Sequence, residues 1–509
     1  MNKIFSMLVI GLVASASGAY AQYGSDGLRF SQLNYGSTAR FKAMGNAQIG
    51  VGGDMSSLSG NPAGLGLFTR SEFSLTPEFN HTGVDGSYLA GKNSRTNKGT
   101  LNLNQLGVIL YAPSYKKKGE DTKKGLISSV FGLGYARNND YALESSYGGQ
   151  NSNNSIRHFF ADLANRSKDP NNFTISKNSL EGMAFDSYLI NFNTPGNPNM
   201  YTASSAGNAF SANNQQKNEV RAGSVSEFNI AGALNFSNQF YIGANVGLIN
   251  LRYTSDAEFI EAGSLNTYDP GDGYGPRENY RLSYVQNQET KGSGINARLG
   301  LIFRPVSNFR IGATLQTPTW FVIDDSYSEK IDNKISNDVI TNKAQIYDFR
   351  YNLRTPLKGS LGASYVIGNK GLISADVDFV DYSSIRFSSN DGRTHEEITG
   401  SNATVKNNYT SAINYRVGAE FKAVDNLSVR AGFGINGSPY KNDSNNDFDT
   451  KFYSGGLGYR INNYYFDLAY QRVENNGTNI PYTLNNGNEP VANLKTTNNN
   501  VFLTFGIKF

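Results

Sequence analysis

The chain has 509 residues, a net charge of only +4, 38% hydrophobic residues, 54 glycines, 31 tyrosines, 31 phenylalanines and no cysteine. A nearly neutral chain has no basic surface for nucleic acid, and the lack of cysteine excludes disulfides, thiol nucleophiles and thiolate metal sites. The modest hydrophobic content argues against a bundle of membrane helices. It is ordinary for a membrane β-barrel, in which every second strand residue faces lipid.

Residues 1–21 have the pattern of a secretory signal peptide. Lys3 precedes an apolar stretch over residues 4–14, and small residues then lead to Ala19-Tyr20-Ala21 before Gln22. The apolar stretch is too short to remain as a membrane span. No cysteine follows it, which excludes a lipid-anchored lipoprotein. We therefore expect cleavage after Ala21 and export from the cytoplasm.

Residues 22–69, termed here the N-terminal segment, do not have a strand pattern. They contain three motifs, Arg40-Phe41-Lys42-Ala43-Met44-Gly45-Asn46-Ala47, then Gly52-Gly53-Asp54-Met55-Ser56, then Asn61-Pro62-Ala63-Gly64-Leu65. Asp54 could cap one helical turn, because its side chain can accept a backbone hydrogen bond. Pro62 and the glycines would stop a longer helix.

From about residue 70 onward, apolar residues alternate with polar or small ones. At the end of the chain, Val501, Leu503, Phe505, Ile507 and Phe509 share one face, opposite Phe502, Thr504, Gly506 and Lys508. The alternation predicts about 14 strands, each long enough to cross a bilayer at a tilt. They are predicted to begin near residues 70, 100, 125, 222, 239, 292, 308, 355, 371, 411, 426, 451, 463 and 500.

Short and long connections take turns along these strands. Short ones fall near 235–238, 305–308, 367–370, 422–425 and 461–462, and long ones near 139–220, 255–291, 326–354, 389–410, 439–450 and 474–499. A soluble sandwich also alternates, but it has no reason for this parity, whereas a bacterial outer-membrane barrel requires it. The sequence therefore predicts an all-β fold, a transmembrane antiparallel β-barrel of residues 70–509 in the outer membrane. The terminal Phe509 resembles the recognition signal of the barrel assembly machinery.

The three motifs of the N-terminal segment, in this order between a signal peptide and such a barrel, resemble the FadL family of outer-membrane transporters for long-chain fatty acids and other hydrophobic compounds. The resemblance implies that the segment folds inside the lumen as a hatch (plug) that contains Asn61, Pro62, Ala63, Gly64 and Leu65. It implies further that substrate binds first in the outer loops and then in the lumen. Substrate would leave sideways into the bilayer, beside an interrupted strand and without an energy source.

The third predicted strand is the candidate for that interruption. It contains Gly132 and Gly134, and glycine inside a strand often marks a bulge or bend. The alternative interpretation is that both glycines only allow close packing in the barrel.

The loop over residues 139–220, the longest, is the candidate for the outer hydrophobic site. Apolar residues recur there at helical spacing in two stretches, which contain Ile156, Phe159, Phe160 and Leu163, and then Leu180, Met183 and Tyr188. The alternative is that these apolar faces pack on each other or on the barrel rim.

Charged residues on the other strand face would be costly against lipid, and we expect them in the lumen, bonded to each other and to the N-terminal segment. They are Arg298, Arg304, Arg310, Asp376, Asp378, Arg416, Glu420, Arg430, Asp467 and Lys508. The arginines are candidates to meet a substrate carboxylate.

Catalytic chemistry has little support. His81, His158 and His395 lie in or beside predicted loops without a flanking nucleophile pattern, so we expect no enzyme. The acidic stretches 269–272 and 443–449 lack the EF-hand pattern, and we expect no metal and no cofactor. The expected partners are a fatty acid-like ligand and the lipid and lipopolysaccharide around a monomer. Two other functions remain open, a surface adhesion or scaffold barrel that binds a partner through its loops, and a hydrophilic porin.

Overall fold

The chain is described by a computed structural model that covers residues 18–32, 34–89, 91, 93–117, 119, 121–204, 212–269, 271–390 and 395–509. Most of the predicted signal peptide lies outside the described residues, so its cleavage stays a prediction.

Strands make up most of the described chain. In order they are β1 (Glu72–Tyr88), β2 (Ser94–Pro113), β3 (Leu126–Asp140), β4 (Leu143–Asn151), β5 (Ile190–Phe192), β6 (Tyr201–Ala203), β7 (Asn213–Phe236), β8 (Phe240–Asp269), β9 (Gly273–Val306), β10 (Phe309–Gln316), β11 (Trp320–Ile335), β12 (Asp338–Thr341), β13 (Gln345–Arg354), β14 (Lys358–Ile367), β15 (Gly371–Asp381), β16 (Arg386–Ser388), β17 (Ser411–Val424), β18 (Leu427–Asn436), β19 (Thr450–Ile461), β20 (Tyr464–Asn479) and β21 (Ala492–Lys508).

A closed antiparallel barrel of 14 wall strands confirms the predicted fold class. Three wall strands consist of two segments each, namely β3 with β4, β10 with β11, and β13 with β14. The barrel closes where β1 pairs with β21, from Glu72 opposite Lys508 to Tyr88 opposite Ala492. Closure leaves no wall edge at the chain ends, which a barrel in hydrocarbon requires.

The wall strands are much longer than predicted on the side of the long loops. β8 has 30 residues and β9 has 34, while about 10 residues suffice to cross a bilayer. The two strands stay paired up to Asp269 opposite Gly273. Much of the loop predicted over 255–291 is therefore a hairpin that continues the wall beyond the membrane. Alternation did not predict it, because both of its faces carry polar residues.

A band of outward-facing apolar side chains surrounds the barrel near the short turns. On β9, Ile295, Leu299 and Leu301 are 42–62% exposed, whereas Arg298 between them is 4% exposed. Trp320 is exposed at the upper edge of this band, meaning the edge on the side of the long loops. An interfacial tryptophan is expected at this position. The wall is thus apolar outside and polar inside.

The helices are few and short. They are α1 (Gly18–Ser31), α2 (Ala39–Ala43), α3 (Ile156–Ser167), α4 (Leu180–Asp186), α5 (His395–Asn408) and the 3₁₀ helices Met55–Leu58, Pro62–Leu67 and Tyr382–Ser384. None of the described helices is long and apolar enough to cross a membrane.

The two largest apolar clusters of the described residues lie inside and above the barrel. The cap core joins α3 and α4 to the projecting strands through residues such as Phe259, Tyr284 and Ile331. The lumen core lies closer to the membrane and joins α1, α5 and inward-facing wall residues such as Leu251, Ile323 and Tyr351.

Candidate functional site: the filled lumen and a gap in the wall

Residues 35–68 of the N-terminal segment lie against the inner faces of the wall strands, and Asn61 is one of the main links. Asn61 precedes the 3₁₀ helix Pro62–Leu67, and its side-chain oxygen accepts the Ala63 N–H at 3.1 Å. Its Nδ2 donates to the carbonyls of Ile49 at 2.7 Å and Leu301 at 3.2 Å. One buried side chain therefore holds two parts of the segment together and fixes both to β9. Asp54 caps the helical turn Met55–Leu58, as predicted.

Glycines on the wall let the N-terminal segment approach the strand backbones. A β-carbon on any of these wall glycines would overlap the segment's backbone or the Asn61 side chain. They are Gly243, Gly300, Gly312, Gly418 and Gly432. Glycine is therefore required at these places for the fit between segment and wall.

Charged wall residues bind the same segment. Arg40 forms two hydrogen bonds with Glu420, which also accepts from Arg430 at 2.6 Å. Asp376 on β15 accepts the backbone N–H groups of Gln48 and Ile49 at 2.6 and 2.9 Å. These buried carboxylates satisfy donors that would otherwise be unpaired in the lumen.

Other lumen charges pair with each other, as expected from the sequence. Arg298 binds Glu227 with two hydrogen bonds of 2.6 and 2.9 Å, and Arg416 binds Asp378. Arg310 donates to the Val51 carbonyl at 2.7 Å. Arg304 differs, because it donates to the Ser307 carbonyl at a short turn and is partly exposed.

Helix α1 fills the upper lumen. Its Leu28 and Phe30 are buried in the lumen core, and the Arg29 guanidinium lies 4.4 Å from the ring centroid of Tyr253. Asp26 forms an ion pair with Arg29, and its other oxygen accepts from Gln288 at 2.7 Å. The helix is thus held by apolar and by charged contacts.

A second carboxylate, Asp325, lies beside Asp26 above the apolar band. Gln288 also donates to Asp325, at 3.1 Å. Burial raises the pKa of the Asp325 carboxyl to about 6, and the negative charge of Asp26 raises it as well. Burial likewise raises the pKa of Asp26, against the effect of Arg29.

The wall has a gap between β2 and the third wall strand. β2 forms a ladder with β3 only from Gln105 to Pro113. Residues 94–103 of β2 pair with β1 alone, and in the third strand Arg137, Asn139, Asp140 and residues 143–151 pair with β7 alone. Over this stretch, no backbone ladder joins the two strands in the described part of the chain. Instead, β4 runs towards β1, where the rings of Tyr88 and Tyr147 lie 5.1 Å apart.

Side chains bridge the gap. Asp140 accepts hydrogen bonds from Asn80 of β1 at 3.0 Å and from Asn102 of β2 at 2.6 Å, both on the opposite side of the gap. Farther from the membrane, Ser94 donates to the Ser146 carbonyl. Side-chain bonds can open without the loss of a backbone ladder, so the wall is weak at this gap.

The model of the family described as outer membrane protein transport protein (OMPP1/FadL/TodX) matches residues 22–509. The chain belongs to this family. As a member it is an outer-membrane transport protein rather than an enzyme. A search of curated proteins found no match.

Solved structures of FadL-type proteins share the fold. A FadL homologue of Pseudomonas aeruginosa superimposes with a TM-score of 0.53 at 12% identity, covering 93% of this chain and 98% of that chain. The toluene transporter TodX of P. putida superimposes with a TM-score of 0.51 at 14% identity, covering 94% and 99%. At such low identity, these likenesses establish the fold alone.

For this FadL/TodX-family chain, the structure places the interruption of the third strand away from Gly132 and Gly134. Both glycines lie in a continuous ladder, opposite Ile109 and Gly107. They face Leu58, whose side chain a β-carbon would meet. The break falls instead at 141–142, after a register shift between Arg137 and Asn139. The two glycines therefore serve close packing, and the position predicted for the interruption is corrected.

The predicted residues of the outer loop are brought together, but as a packed core. Of the seven candidates, Ile156, Phe159, Phe160, Leu180 and Met183 are buried in the cap core, and Leu163 packs against it. Tyr188 is 52% exposed. Within residues 152–204, the exposed large apolar side chains are Phe185, Tyr188 and Met200, of which the sequence pattern identified only Tyr188.

Three residues of the site were not predicted, namely Asp140, Leu28 and Phe30. Asp140 follows Asn138-Asn139, and this polar run breaks the alternation of the strand. That break is the sequence feature that could have pointed to Asp140. No sequence pattern indicated Leu28 and Phe30, because a short helix buried in a lumen need not show an apolar periodicity. Within the described residues, no group of three or more histidine, aspartate and glutamate side chains could hold a metal ion.

Proposed function

We propose that this protein is a channel for passive uptake of hydrophobic molecules such as long-chain fatty acids. The molecule would enter the lumen from outside and leave sideways into the bilayer through the gap between β2 and the third wall strand. The proposal rests mainly on this gap in the wall.

Two structural relationships support a sideways route. The N-terminal segment lies across the lumen, bonded to β9, β15 and β17, so a straight path to the periplasm would require it to leave. The gap requires only side-chain hydrogen bonds to open. An acyl chain gains about 0.8 kcal/mol for each CH₂ group kept from water, which favours delivery to lipid over delivery to the periplasm.

The lumen core supports a hydrophobic cargo. Leu28 and Phe30 of α1 occupy an apolar ring of wall residues. We propose that α1 moves when a ligand takes the place of these two side chains. The exposed Phe185, Tyr188 and Met200 on the cap would make the first contact, since the predicted helix faces are already buried.

The channel itself is tested by uptake of a radiolabelled fatty acid into cells with and without the protein. Uptake that depends on the protein is expected. Equal uptake in both would contradict the channel function.

The sideways route is tested by closing the gap. The chain has no cysteine, so the double variant Asn102→Cys/Asp140→Cys can be cross-linked with a short bis-maleimide without side reactions. Cross-linking should abolish uptake, and the double variant without the cross-linker should retain it. The control pair Ala112→Cys/Ser129→Cys lies across an intact ladder and should be insensitive. Uptake that survives closure of the gap would contradict the lateral route alone.

A further inference from the structure

A polar cavity of about 120 Å³ lies inside the barrel beside the gap. It is bounded by the N-terminal segment, by the end of β3 and by the inner faces of β1 and β19–β21, and Asp140 belongs both to its lining and to the gap. We call it the amide cavity, because ten of its 22 lining residues are asparagine or glutamine. A single water needs only about 10–15 Å³, so the cavity can hold a polar group of several atoms.

The wall builds this lining in register. Asn80 on β1 is the ladder partner of Asn500 on β21, which is in turn the partner of Gln471 on β20. The next inward row contains Thr82 and Asn498, which are also partners. Directly opposed residues of an antiparallel pair point to the same face. The amides therefore form a continuous inward-facing patch across three strands.

Several of these polar groups have no partner within the described protein. The side-chain oxygens of Asn80, Asn498 and Asn500 and the Nε of Arg137 are buried without a hydrogen bond. Each such group costs about 1–3 kcal/mol if it stays unpaired, and buried polar groups in proteins are nearly always satisfied. Four such groups around one cavity indicate that a hydrogen-bonding guest belongs there.

Each cation of the described cavity lining has an anionic neighbour. Arg137 and Asp140 lie 3.6 Å apart, Lys42 and Glu78 are electrostatic neighbours, and Arg416 is bound by Asp378, which also binds Lys358. No lining cation is therefore free to neutralise a carboxylate or phosphate. A charged head group would therefore lose hydration without gaining a counter-ion.

We propose that the amide cavity binds the uncharged, hydroxyl-bearing head group of an amphiphile whose apolar tail passes through the gap. Carboxamides both donate and accept hydrogen bonds, as hydroxyl groups do, and Phe452 and Phe502 give the cavity an apolar side. A bare hydrocarbon here would leave the amides unpaired. The inference rests on the proposed channel function and adds that, among its substrates, the cavity prefers amphiphiles with a neutral, hydroxylated head group.

Binding of three labelled probes with alkyl tails of seven or eight carbons, to the full chain in lipid nanodiscs, tests the proposal. The probes are octyl glucoside, octanoate and octylbenzene. Octyl glucoside should bind at least about ten-fold more tightly than the other two, which corresponds to one or two hydrogen bonds. Equal affinities, or tightest binding of octanoate or octylbenzene, would overturn the assignment.

Variants localise the binding. Asn80→Ala and Asn500→Ala should each lower the affinity for octyl glucoside about ten-fold and leave the affinity for octylbenzene unchanged. Thr82→Val keeps the side-chain volume and should also lower the affinity for octyl glucoside. This variant tests the site if an asparagine variant does not fold. The control Asn493→Ala, exposed on the same strand β21, should bind like the parent. Octyl glucoside binding unchanged in Thr82→Val and in the folded asparagine variants would show that the cavity holds only water.

Failure of the two proposals can be told apart by measuring uptake of a fatty acid and of the three probes into cells that produce the same variants. Uptake without preference for octyl glucoside would contradict the head-group site but not the channel. Head-group binding that depends on Asn80 and Asn500, without uptake of any probe, would support the site and contradict the channel.

Discussion

Arg40 in the N-terminal segment and Glu420 on β17 form an ion pair through two hydrogen bonds, from Nε to Oε2 at 2.8 Å and from Nη2 to Oε1 at 3.0 Å. Both side chains are largely buried, and Glu420 is shared with Arg430. The pair joins the segment to a strand 380 residues away in the sequence.

Glu420→Gln should destabilise the protein more than Arg40→Gln. Removal of the carboxylate leaves two buried arginines without their partner, and breaking a buried pair costs about 3–5 kcal/mol. In Arg40→Gln, Glu420 keeps Arg430, so a smaller loss is expected. The measurement is the unfolding midpoint in urea. Glu289→Gln, in an exposed pair with Lys291, should change little. An equal effect of all three substitutions would contradict this account.

Asn61→Ala should loosen the N-terminal segment and admit small polar solutes. The substitution removes hydrogen bonds to the carbonyls of Ile49 and Leu301 and leaves both acceptors buried, at about 1–3 kcal/mol each. Pro62→Ala, at the start of the following helix, should act in the same direction with a smaller effect. Planar-bilayer conductance and antibiotic entry into cells are the readouts. The exposed Asn197→Ala is the control, and parent-like conductance in Asn61→Ala would count against a plugging role for the segment.

Gly300→Ala should displace the same part of the segment without loss of a hydrogen-bonding group. A β-carbon at this position overlaps the Asn61 side chain, whereas one at Gly359 on another wall strand meets nothing within 4 Å. Increased solute entry is expected for Gly300→Ala and none for Gly359→Ala. Similar entry in the two variants would show that close packing at β9 does not hold the segment.

Docking of α1 in the upper lumen should weaken as the pH rises through about 6. The pKa of Asp325 is raised in the folded protein to about 6, so its contribution to stability is fully present below its unfolded value near 4 and is lost as the pH rises through about 6. Asp26, with Arg29 on the same helix, faces Asp325 and titrates in the same direction.

A fluorophore on Gln32→Cys, the single cysteine of that variant, would report this change through its anisotropy. Anisotropy should fall between pH 5 and pH 7.5, and Asp325→Asn should reduce the fall. The neighbouring Asp324→Asn alters an exposed carboxylate paired with Arg350 and should leave the pH dependence intact. A fall of the same size in Asp325→Asn would contradict the role of Asp325.

Much of the barrel could be predicted from local pattern. The alternation from Val501 to Phe509 is found as strand β21, and the short turns lie where the sequence placed them. The predicted lumen position of Arg298 and Asp376 is also found, because a charge facing lipid would cost several kcal/mol. The strand is not interrupted at Gly132 and Gly134, where the sequence predicted it. Glycine allows either a bend or close packing, and only the contact with Leu58 of the N-terminal segment decides between them.

The sequence by itself determined which strand faces meet lipid, how many strands close the wall and where the turns lie, because the bilayer acts on every residue through its own side chain. Only the tertiary structure decided where the wall lacks a ladder, that Leu28 and Phe30 fill the lumen core, and that amides from β1, β20 and β21 surround one cavity. These features arise from contacts between residues far apart in the chain, such as Asn61 with Leu301 and Asn80 with Asn500. Periodicity describes the surroundings of a residue but not its partner.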